Sequence, residues 1–246
     1  MAPNKGSDVM GDYTRMSKYY DLIMTSGYYD YDAIVNHLAE FDQAQSVLEI
    51  GSGTGLILQR LVARRPALRL AGIDLTQAML DIAIDRLSSH PQITMHRQNV
   101  TTLSLDRSYD LAYSYGGVWY FVRGAGPQDY TMISHIRDEQ ENQQGFERVA
   151  EHLSVGGTLL LGVQSPHLDY ATPVANDMEY SQRITPIPEG FRKCYELADA
   201  GRVVMGQTID YRTYSFDAAI ELLDKCGFEY RGPVAPASLF LEFCKR

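Results

Sequence analysis

The 246-residue sequence has few cysteines, one tryptophan and no excess of basic residues. Its three cysteines, Cys194, Cys226 and Cys244, are odd in number and follow no CxxC or Cys/His pattern, so neither a disulfide framework nor a metal site is predicted. With 22 Lys and Arg against 31 Asp and Glu, the net charge of −9 argues against binding to nucleic acid or to anionic lipid.

Long apolar runs are also absent. The longest, such as GTLLLGV, are shorter than the ~20 residues of a membrane helix, and the first residues, MAPNKGSDVMGDY, lack the apolar segment of a secretory signal. We therefore predict a cytoplasmic protein that does not contact membranes. The hydrophobic fraction of 45% is typical of a folded globular chain. Nothing in the sequence decides between a monomer and a homodimer.

What is present is an alternation of strand and helix patterns. Short apolar strands are predicted at 46–51, 68–74, 92–100, 108–116 and 156–164, and helices at 28–41, 56–62, 76–89 and 137–153. This alternation predicts an α/β fold with a mostly parallel sheet and helices on both faces. In such a sheet a ligand lies at the carboxyl ends of the strands.

We predict one domain over residues 1–246, composed of four parts. These are an N-terminal helical cap (1–45), a cofactor-binding core (46–169), an antiparallel insert after the fifth strand (170–214) and a closing helix and strand (215–246). The insert is predicted from alternating polar and apolar residues around the turn ADAGR. Together with a loop over 115–135, it is expected to form a lid.

The stretch VLEIGSGTGLILQRL (47–61) carries Gly51, Gly53 and Gly55 in a G-x-G-x-G pattern. A dinucleotide-binding turn would need a third glycine at Leu56, and a Walker loop would need GK[ST], so we predict a ligand without a phosphate at this bend. Asp74 ends the next strand, where a carboxylate can bind a ribose diol. The simpler alternatives are a tight turn without a ligand and an Asp74 that only caps a helix.

Four segments in this order and spacing, VLEIGSGTG, GIDLTQAMLDIA, YDLAYSYGGVWYF and HLSVGGTLLLGV, resemble the class I S-adenosylmethionine-dependent methyltransferases. The resemblance implies a Rossmann-like methyltransferase fold and S-adenosyl-L-methionine as the cofactor. Asn99 stands where many members carry an acid that binds the adenine amino group, and its amide oxygen can accept the same bond. The implied cofactor-binding residues are Tyr13, Tyr20, Glu49, Gly51, Ser52, Gly53, Gly55, Asp74, Leu75, Met79, Asn99, Val100, Ser114 and Tyr115.

The segment GDYTRMSKYYDLIMTSGYYDY (11–31) resembles the N-terminal helix of the antibiotic aminosugar N,N-dimethyltransferases in its D-Y-[ST] and Y-D-L motifs. That resemblance implies that Tyr13 lies beside the reacting methyl group and that Tyr20 closes over the cofactor. The stretch VWYFV, with Phe121, stands where those enzymes carry a histidine. We therefore expect a small-molecule acceptor, which could be methylated at N, O or C.

Two histidines are candidates for acid–base chemistry. His135 is the predicted catalytic base, if the acceptor arrives protonated, and His167 is the second candidate. Arg15 and Arg123 could bind an acidic group of the substrate, although a solvated arginine is the commoner state. Two other functions stay open at this point. The protein could bind the cofactor and catalyse another reaction, such as a cyclisation, or it could be a non-catalytic cofactor-binding subunit.

Overall fold

The structure is a computed structural model that describes residues 13–126, 129–233 and 239–246. Asp12 of the D-Y-T motif and Ser238 of the predicted closing strand lie outside the described residues. The helices are α1 (Ser17–Ile23), α2 (Tyr31–Ala39), α3 (Leu56–Arg64), α4 (Gln77–Leu87), α5 (Glu139–Glu151) and α6 (Phe216–Lys225). A π-helical turn (Met24–Tyr28) follows α1, and a 3₁₀ turn (Val100–Thr102) follows the third strand.

The strands of the first half are β1 (Ser46–Ile50), β2 (Arg69–Asp74), β3 (Ile93–Arg97), β4 (Tyr109–Ser114), β5 (Trp119–Arg123), β6 (Tyr130–Ser134) and β7 (Leu153–Gln164). Those of the second half are β8 (Tyr170–Pro173), β9 (Met178–Ile187), β10 (Gly190–Asp199), β11 (Arg202–Ser215), β12 (Phe228–Pro233) and β13 (Phe240–Lys245). The predicted α/β fold, with its antiparallel insert after the fifth predicted strand, is confirmed.

The central sheet has the order β3-β2-β1-β4-β7, and these strands are parallel. It branches at the carboxyl end of β7. Residues 158–162 of β7 pair with the antiparallel β13, whereas Val163 and Gln164 pair with β5. From β5 the sheet continues as β6-β11-β10-β9-β8, with antiparallel pairing throughout. The insert therefore extends from the edge where a parallel sheet binds its ligands.

Two apolar clusters cover the two faces of the central sheet. Side chains of α1, α2 and α3 pack on one face, with Ile34, Leu38, Leu58 and Leu61 fully buried. Side chains of α5 and α6 pack on the other face around Phe146. Each helix presents its apolar residues at a spacing of three or four, which is the sequence pattern that predicted them. No helix among the described residues is long and apolar enough to span a membrane.

The prediction of a loop over 115–135 is wrong for most of the described residues, because 119–123 and 130–134 form β5 and β6 and join the sheet, while residues 127 and 128 lie outside the described ones. Trp119 and Phe121 alternate with Tyr120 along β5, so two large apolar side chains reach one buried face. Asn142 of α5 fixes the hairpin: its amide oxygen accepts hydrogen bonds from the Trp119 indole at 2.7 Å and the Ser134 hydroxyl at 2.6 Å. The segment is thus part of the rigid sheet.

Smaller differences concern where elements begin and end. The helix predicted at 28–41 begins at Tyr31, because the Asp30 carboxylate accepts a hydrogen bond from the Ala33 backbone N–H and caps it. The strand predicted at 92–100 ends at Arg97, because Asn99 caps the 3₁₀ turn. The closing segment contains a further strand, β12, that was not predicted.

Candidate active site

A cavity of about 250 Å³ lies at the carboxyl ends of the parallel strands, beneath α1. Gly51 follows β1, Asp74 ends β2, Asn99 follows β3, and Gly116 and Gly117 follow β4. Each of these residues lines the cavity because parallel strands end at the same edge of the sheet. Cavities at this place are the usual ligand sites of α/β folds.

The glycine turn forms one end of the cavity, which we call the glycine end. Gly51, Gly53 and Gly55 have φ angles of +73°, +54° and +76°, a region that side chains disfavour. A Cβ at Gly51 would lie 2.8 Å from the Gly117 Cα, so the two backbones can approach only without side chains. Gly51 and Gly53 line the cavity, while Gly55 contacts α4 through Leu87 and Ala83.

The Asp74 carboxylate is fixed by two backbone donors. One oxygen accepts a hydrogen bond from the Gly53 N–H at 2.8 Å and the other from the Thr76 N–H at 2.8 Å. Burial raises the pKa of Asp74, and these hydrogen bonds oppose the rise. The Leu75 N–H and the Thr76 side chain also bond to this carboxylate and oppose the rise, so a ligand would share its oxygens with these donors. The cavity wall beside Asp74 continues with Leu75, Met79, Asn99 and Val100.

Two predicted residues of the glycine end differ from the expectation: one is hydrogen-bonded within the protein, and the other lies outside the cavity wall. The Asn99 amide oxygen accepts hydrogen bonds from the Thr101 N–H and hydroxyl, both at 3.0 Å. Glu49 is buried in β1 and does not line the cavity; one of its carboxylate oxygens is buried without a hydrogen-bond partner. Burial raises the pKa of Glu49 well above its ordinary value, with the nearby Tyr113 opposing the rise.

Four more of the predicted cofactor residues support the cavity from outside rather than line it. Gly55 contacts α4, as described above, and the Ser52 hydroxyl donates to the Ile73 carbonyl at 3.3 Å. The Ser114 hydroxyl accepts a bond from the Trp119 N–H at 3.4 Å, and the Tyr115 ring packs on Tyr29 at 5.3 Å between centroids. The side chains of Ser52, Ser114 and Tyr115 therefore contact neighbouring parts of the protein instead of the cavity.

The other end of the cavity, which we call the tyrosine end, is lined by Tyr13, Tyr28, Tyr120, His135, His167, Lys193, Tyr195 and Tyr211. Tyr13 lies 6.0 Å from the His135 ring, and its hydroxyl is 3.4 Å from that of Tyr211. The Tyr195 and Tyr211 hydroxyls are 2.5 Å apart. Burial raises the pKa of Tyr13 to about 12, so its hydroxyl stays protonated near neutral pH.

Both candidate histidines lie at the tyrosine end. Burial and the nearby Lys193 lower the pKa of His135 and of His167 to about 3, so both rings are neutral near neutral pH. The His167 Nε2 is 2.8 Å from the Tyr120 hydroxyl, and its Nδ1 is 3.4 Å from Lys193 Nζ. Phe121 faces the opposite side of β5, which puts Tyr120 rather than Phe121 in the cavity. Arg15 and Arg123 are not in its wall.

Sequence reasoning did not identify Tyr28, Tyr120, Lys193, Tyr195 or Tyr211 as site residues. The insert contributes three of them, because β10 and β11 turn one face towards the cavity. A signal was present in β10, where Lys193 and Tyr195 alternate with outward residues between Phe191 and Leu197. A lysine in the apolar phase of a strand is unusual, since buried lysine is rare without a partner.

Helix α1 covers the glycine end and carries Tyr20, whose ring lies 3.6 Å from the Cβ position of Gly53. The helix is fixed to the core through Asp21. The Thr54 hydroxyl donates to the Asp21 carboxylate at 2.6 Å, and the Arg86 guanidinium donates to both Asp21 and the Thr54 carbonyl. No group of histidine, cysteine and acidic residues among the described residues is arranged to hold a metal ion.

Comparisons with known proteins agree with this arrangement. Residues 47–131 match the family described as a methyltransferase domain. A protein of Geobacillus sp. (strain WCH70) that carries the provisional name of methyltransferase is 28% identical over 180 residues, which cover 69% of this chain and 66% of that protein. The chain spans about two thirds or less of the length of the curated relatives that it matches.

Two solved structures match nearly the whole chain. DesVI of Streptomyces venezuelae has a TM-score of 0.72 at 19% identity, covering 93% of this chain and 97% of its own. The sugar N-methyltransferase KedS8 of Streptoalloteichus sp. has a TM-score of 0.70 at 22% identity, covering 100% and 99%. Identities this low show a shared fold. Residues 47–131 therefore match a methyltransferase domain, and nearly the whole chain shares the fold of these two structures.

Proposed function

We propose that the protein transfers a methyl group from S-adenosylmethionine to an amine nitrogen of a small molecule. The observation that carries the proposal is the single cavity that joins the glycine end, with its anchored carboxylate, to a tyrosine end rich in neutral hydrogen-bonding groups. When bound, the cofactor supplies an electrophilic methyl group on a sulfonium whose departure needs no protonation. The protein therefore has to bind the cofactor and the acceptor, orient them towards each other, and exclude water.

The residues at the glycine end fit this cofactor. The backbone of Gly51 and Gly53 leaves room for the amino acid part, and the Asp74 carboxylate in the cavity wall suits the two ribose hydroxyls. Leu75, Met79 and Val100 offer apolar contacts to an adenine ring, and Asn99 lies at the end of the same wall. Tyr20 covers the turn from above.

The tyrosine end orients the acceptor. Tyr13 and His135 are the proposed catalytic residues, because both line the cavity and because aromatic faces attract a sulfonium cation. The neutral His135 ring can accept a hydrogen bond from an acceptor N–H and so aim the nitrogen lone pair at the methyl group. Alignment of this kind is worth up to ~7 to 11 kcal/mol of the barrier. The insert, through Lys193, Tyr195 and Tyr211, acts as the lid.

An amine acceptor is supported by two observations. The tyrosine end has no carboxylate in its wall among the described residues, and its histidines are neutral, which suits an uncharged amine. The structurally similar KedS8 is a sugar N-methyltransferase, and the N-terminal D-Y-T and Y-D-L motifs point the same way. We propose polyhydroxylated amines, such as amino sugars from natural-product biosynthesis, as the class to test first.

The test follows a labelled methyl group. The protein is incubated with methyl-labelled S-adenosylmethionine and a panel of amino sugars, each paired with the same sugar carrying a hydroxyl in place of the amine. Label in an amine product that survives mild base supports the proposal, whereas base-labile label indicates a methyl ester. Cofactor consumption without label transfer would favour another reaction, such as cyclisation. Cofactor binding without consumption across the panel would favour a non-catalytic subunit.

A further inference from the structure

Lys193 is a basic residue inside the cavity without a counterion among the described residues. It lies in the middle of β10, is 1% exposed and forms part of the tyrosine end. Its Nζ donates a hydrogen bond to the Tyr28 hydroxyl at 2.9 Å, lies 3.4 Å from His167 Nδ1 and stands 4.7 Å above the centre of the Tyr195 ring. In the part of the chain that the structure describes, none of the ion pairs includes this lysine.

The groups that face Lys193 are neutral near neutral pH. From the loop after β7 comes His167 and from the end of β6 His135, each with a pKa of about 3. The tyrosines at positions 28, 120, 180, 195 and 211, from the π-helical turn, β5, β9, β10 and β11, have pKa values raised by burial. Asp74 is at the glycine end. Burial lowers the pKa of Lys193 to about 7.

A second positive charge in the cavity changes the protonation equilibrium of Lys193. The cofactor's sulfonium repels an ammonium in the same low-dielectric space, so its binding favours the neutral amine at Lys193. Once the methyl group has moved, the sulfur is uncharged and the methylated nitrogen carries the charge. A buried amine with no counterion can then take up a proton at lower cost.

We propose that Lys193 is the proton acceptor of the reaction, so that the cavity holds one positive charge before and after methyl transfer. The proposal rests on the proposed function. The acceptor nitrogen's lone pair forms the new N–C bond, the C–S bond breaks with its electron pair on sulfur, and the proton on nitrogen moves to the Nζ lone pair. His167 gives this proton an exit, since it and Tyr28 also line a second, more open cavity of about 610 Å³.

Lys193 suits this role better than the histidines do. With pKa values of about 3, His135 and His167 hold a proton poorly at neutral pH, whereas Lys193, at about 7, is close to the value at which a general base works best. In this scheme His135 accepts a hydrogen bond from the acceptor and His167 relays the proton, while Lys193 binds it.

The first test needs no acceptor. Calorimetry gives the affinities of S-adenosylmethionine and of uncharged-sulfur S-adenosylhomocysteine from pH 6 to 9, for the wild type, Lys193→Met and Lys193→Arg. In the wild type, the preference for S-adenosylhomocysteine should grow by about tenfold as the pH falls below 7, because the sulfonium must displace a proton. In Lys193→Met, the pH dependence that remains comes from the ionisable groups of the ligands themselves. Lys193→Arg should keep the low-pH preference for S-adenosylhomocysteine at every pH, because arginine stays charged.

The wild type alone gives an independent measurement. Titrations in buffers of different ionisation enthalpy count the protons released, and at pH 6.5 S-adenosylmethionine should release more than S-adenosylhomocysteine. Equal proton release, or a Lys193→Met variant with the wild-type pH dependence, overturns the proposal. If neither ligand binds the wild type, it is the proposed function that fails.

The second test uses the acceptor found by the label-transfer screen. The wild-type kcat/KM, which reports the free enzyme, should rise with pH up to about 7 and then level off. Lys193→Met should lose at least tenfold in kcat at pH 8 while cofactor affinity changes little, and Lys193→Arg should be equally slow because arginine stays charged. An active Lys193→Arg would instead assign the lysine to binding an anionic group of the acceptor, and it would overturn the proposal.

Discussion

Among single residues, Asp74 and Tyr13 have the most sharply defined places. Asp74 is held from two sides by backbone N–H groups, and it lines the cavity. Tyr13 is fixed by its own backbone, whose N–H donates to the Thr76 hydroxyl at 3.1 Å, so its ring is set beside His135. Asp74 is therefore expected to bind the cofactor, and Tyr13 to orient the acceptor. Variants at the two positions should therefore have different effects.

We expect Asp74→Asn to weaken binding of S-adenosylmethionine by about 1 to 3 kcal/mol, because charged hydrogen bonds to the ribose hydroxyls are lost. The amide oxygen can still accept one of the two backbone bonds, which preserves most of the turn. Calorimetry measures the affinity, and Asp81→Asn on the exposed face of α4 is the control. An unchanged affinity in Asp74→Asn would contradict the ribose-binding role.

Tyr13→Phe should lower kcat by about tenfold or more and leave the affinity for S-adenosylmethionine nearly unchanged, since the hydroxyl faces Tyr211 at the tyrosine end. Steady-state kinetics with the acceptor and calorimetry with the cofactor separate the two effects. Tyr19→Phe, on α1 but outside the cavity wall, is the matched control. Full activity in Tyr13→Phe would remove this hydroxyl from the catalytic groups.

At the scale of elements, two connections position the site. The turn between β1 and α3 approaches the turn after β4 so closely that Gly51 and Gly117 leave no room for a Cβ. Helix α1 is fastened over this turn by Asp21, Thr54 and Arg86. The first connection shapes the cofactor site, and the second keeps it covered.

Gly51→Ala should destabilise the fold more than Gly156→Ala does. Both glycines have nearly the same φ, +73° and +75°, so both variants carry the strain of a left-handed backbone, which costs about 1 to 2 kcal/mol. A Cβ at Gly51 also meets the Gly117 backbone, whereas nothing lies within 4 Å of one at Gly156. Urea unfolding gives the free energy of unfolding of both variants. Equal losses of this free energy would show that the turn at Gly51 can move away from Gly117.

Arg86→Met should weaken cofactor binding severalfold, although Arg86 does not line the cavity, because α1 loses part of its attachment. Hydrogen exchange of the α1 amides should accelerate in the same variant. Arg148→Met removes an exposed ion pair with Glu151 on α5 and should change neither measurement. Unaltered exchange and affinity in Arg86→Met would show that α1 stays closed without this contact.

At the scale of the whole molecule, the cavity makes stability depend on pH. His135 has a folded-state pKa of about 3 against an ordinary value of 6.5. Below pH 6.5 the unfolded chain therefore binds a proton that the folded protein does not, and stability falls as the pH falls. Glu49 and Asp74, whose pKa values are raised, act in the opposite direction, because the folded protein binds their protons more readily.

A variant isolates the contribution of the histidine. Between pH 7 and 5 the wild type should lose about 2 kcal/mol more of its free energy of unfolding than His135→Asn does, since the carboxyl effects are common to both. Urea unfolding at each pH gives the difference, and His96→Asn, outside the cavity, is the control. Parallel pH profiles for the wild type and His135→Asn would show that His135 is protonated in the folded state.

Comparison of the two halves of the site shows what sequence reasoning can reach. At the glycine end the sequence pointed to Gly51, Gly53 and Asp74, which line the cavity, because these residues lie at the ends of consecutive strands. Residues such as Ser52 and Ser114 were assigned to the ligand but bond their neighbours, since a motif fixes a residue's position in the turn and not its partner. The tyrosine end was reached only at Tyr13, His135 and His167.

The sequence by itself determined the alternation of strands and helices, the bend at the glycines, the antiparallel insert and the methyltransferase motifs, whose first part lies in the segment that matches a methyltransferase domain. Each depends on periodicity or on spacing within a short segment. The tertiary structure alone decided that residues 119–134 join the sheet and that Lys193 enters the cavity. Both depend on pairing between strands distant in the chain, β5 with β7 in one case and β6 with β11, the neighbour of β10, in the other. Such pairing leaves little trace in local pattern.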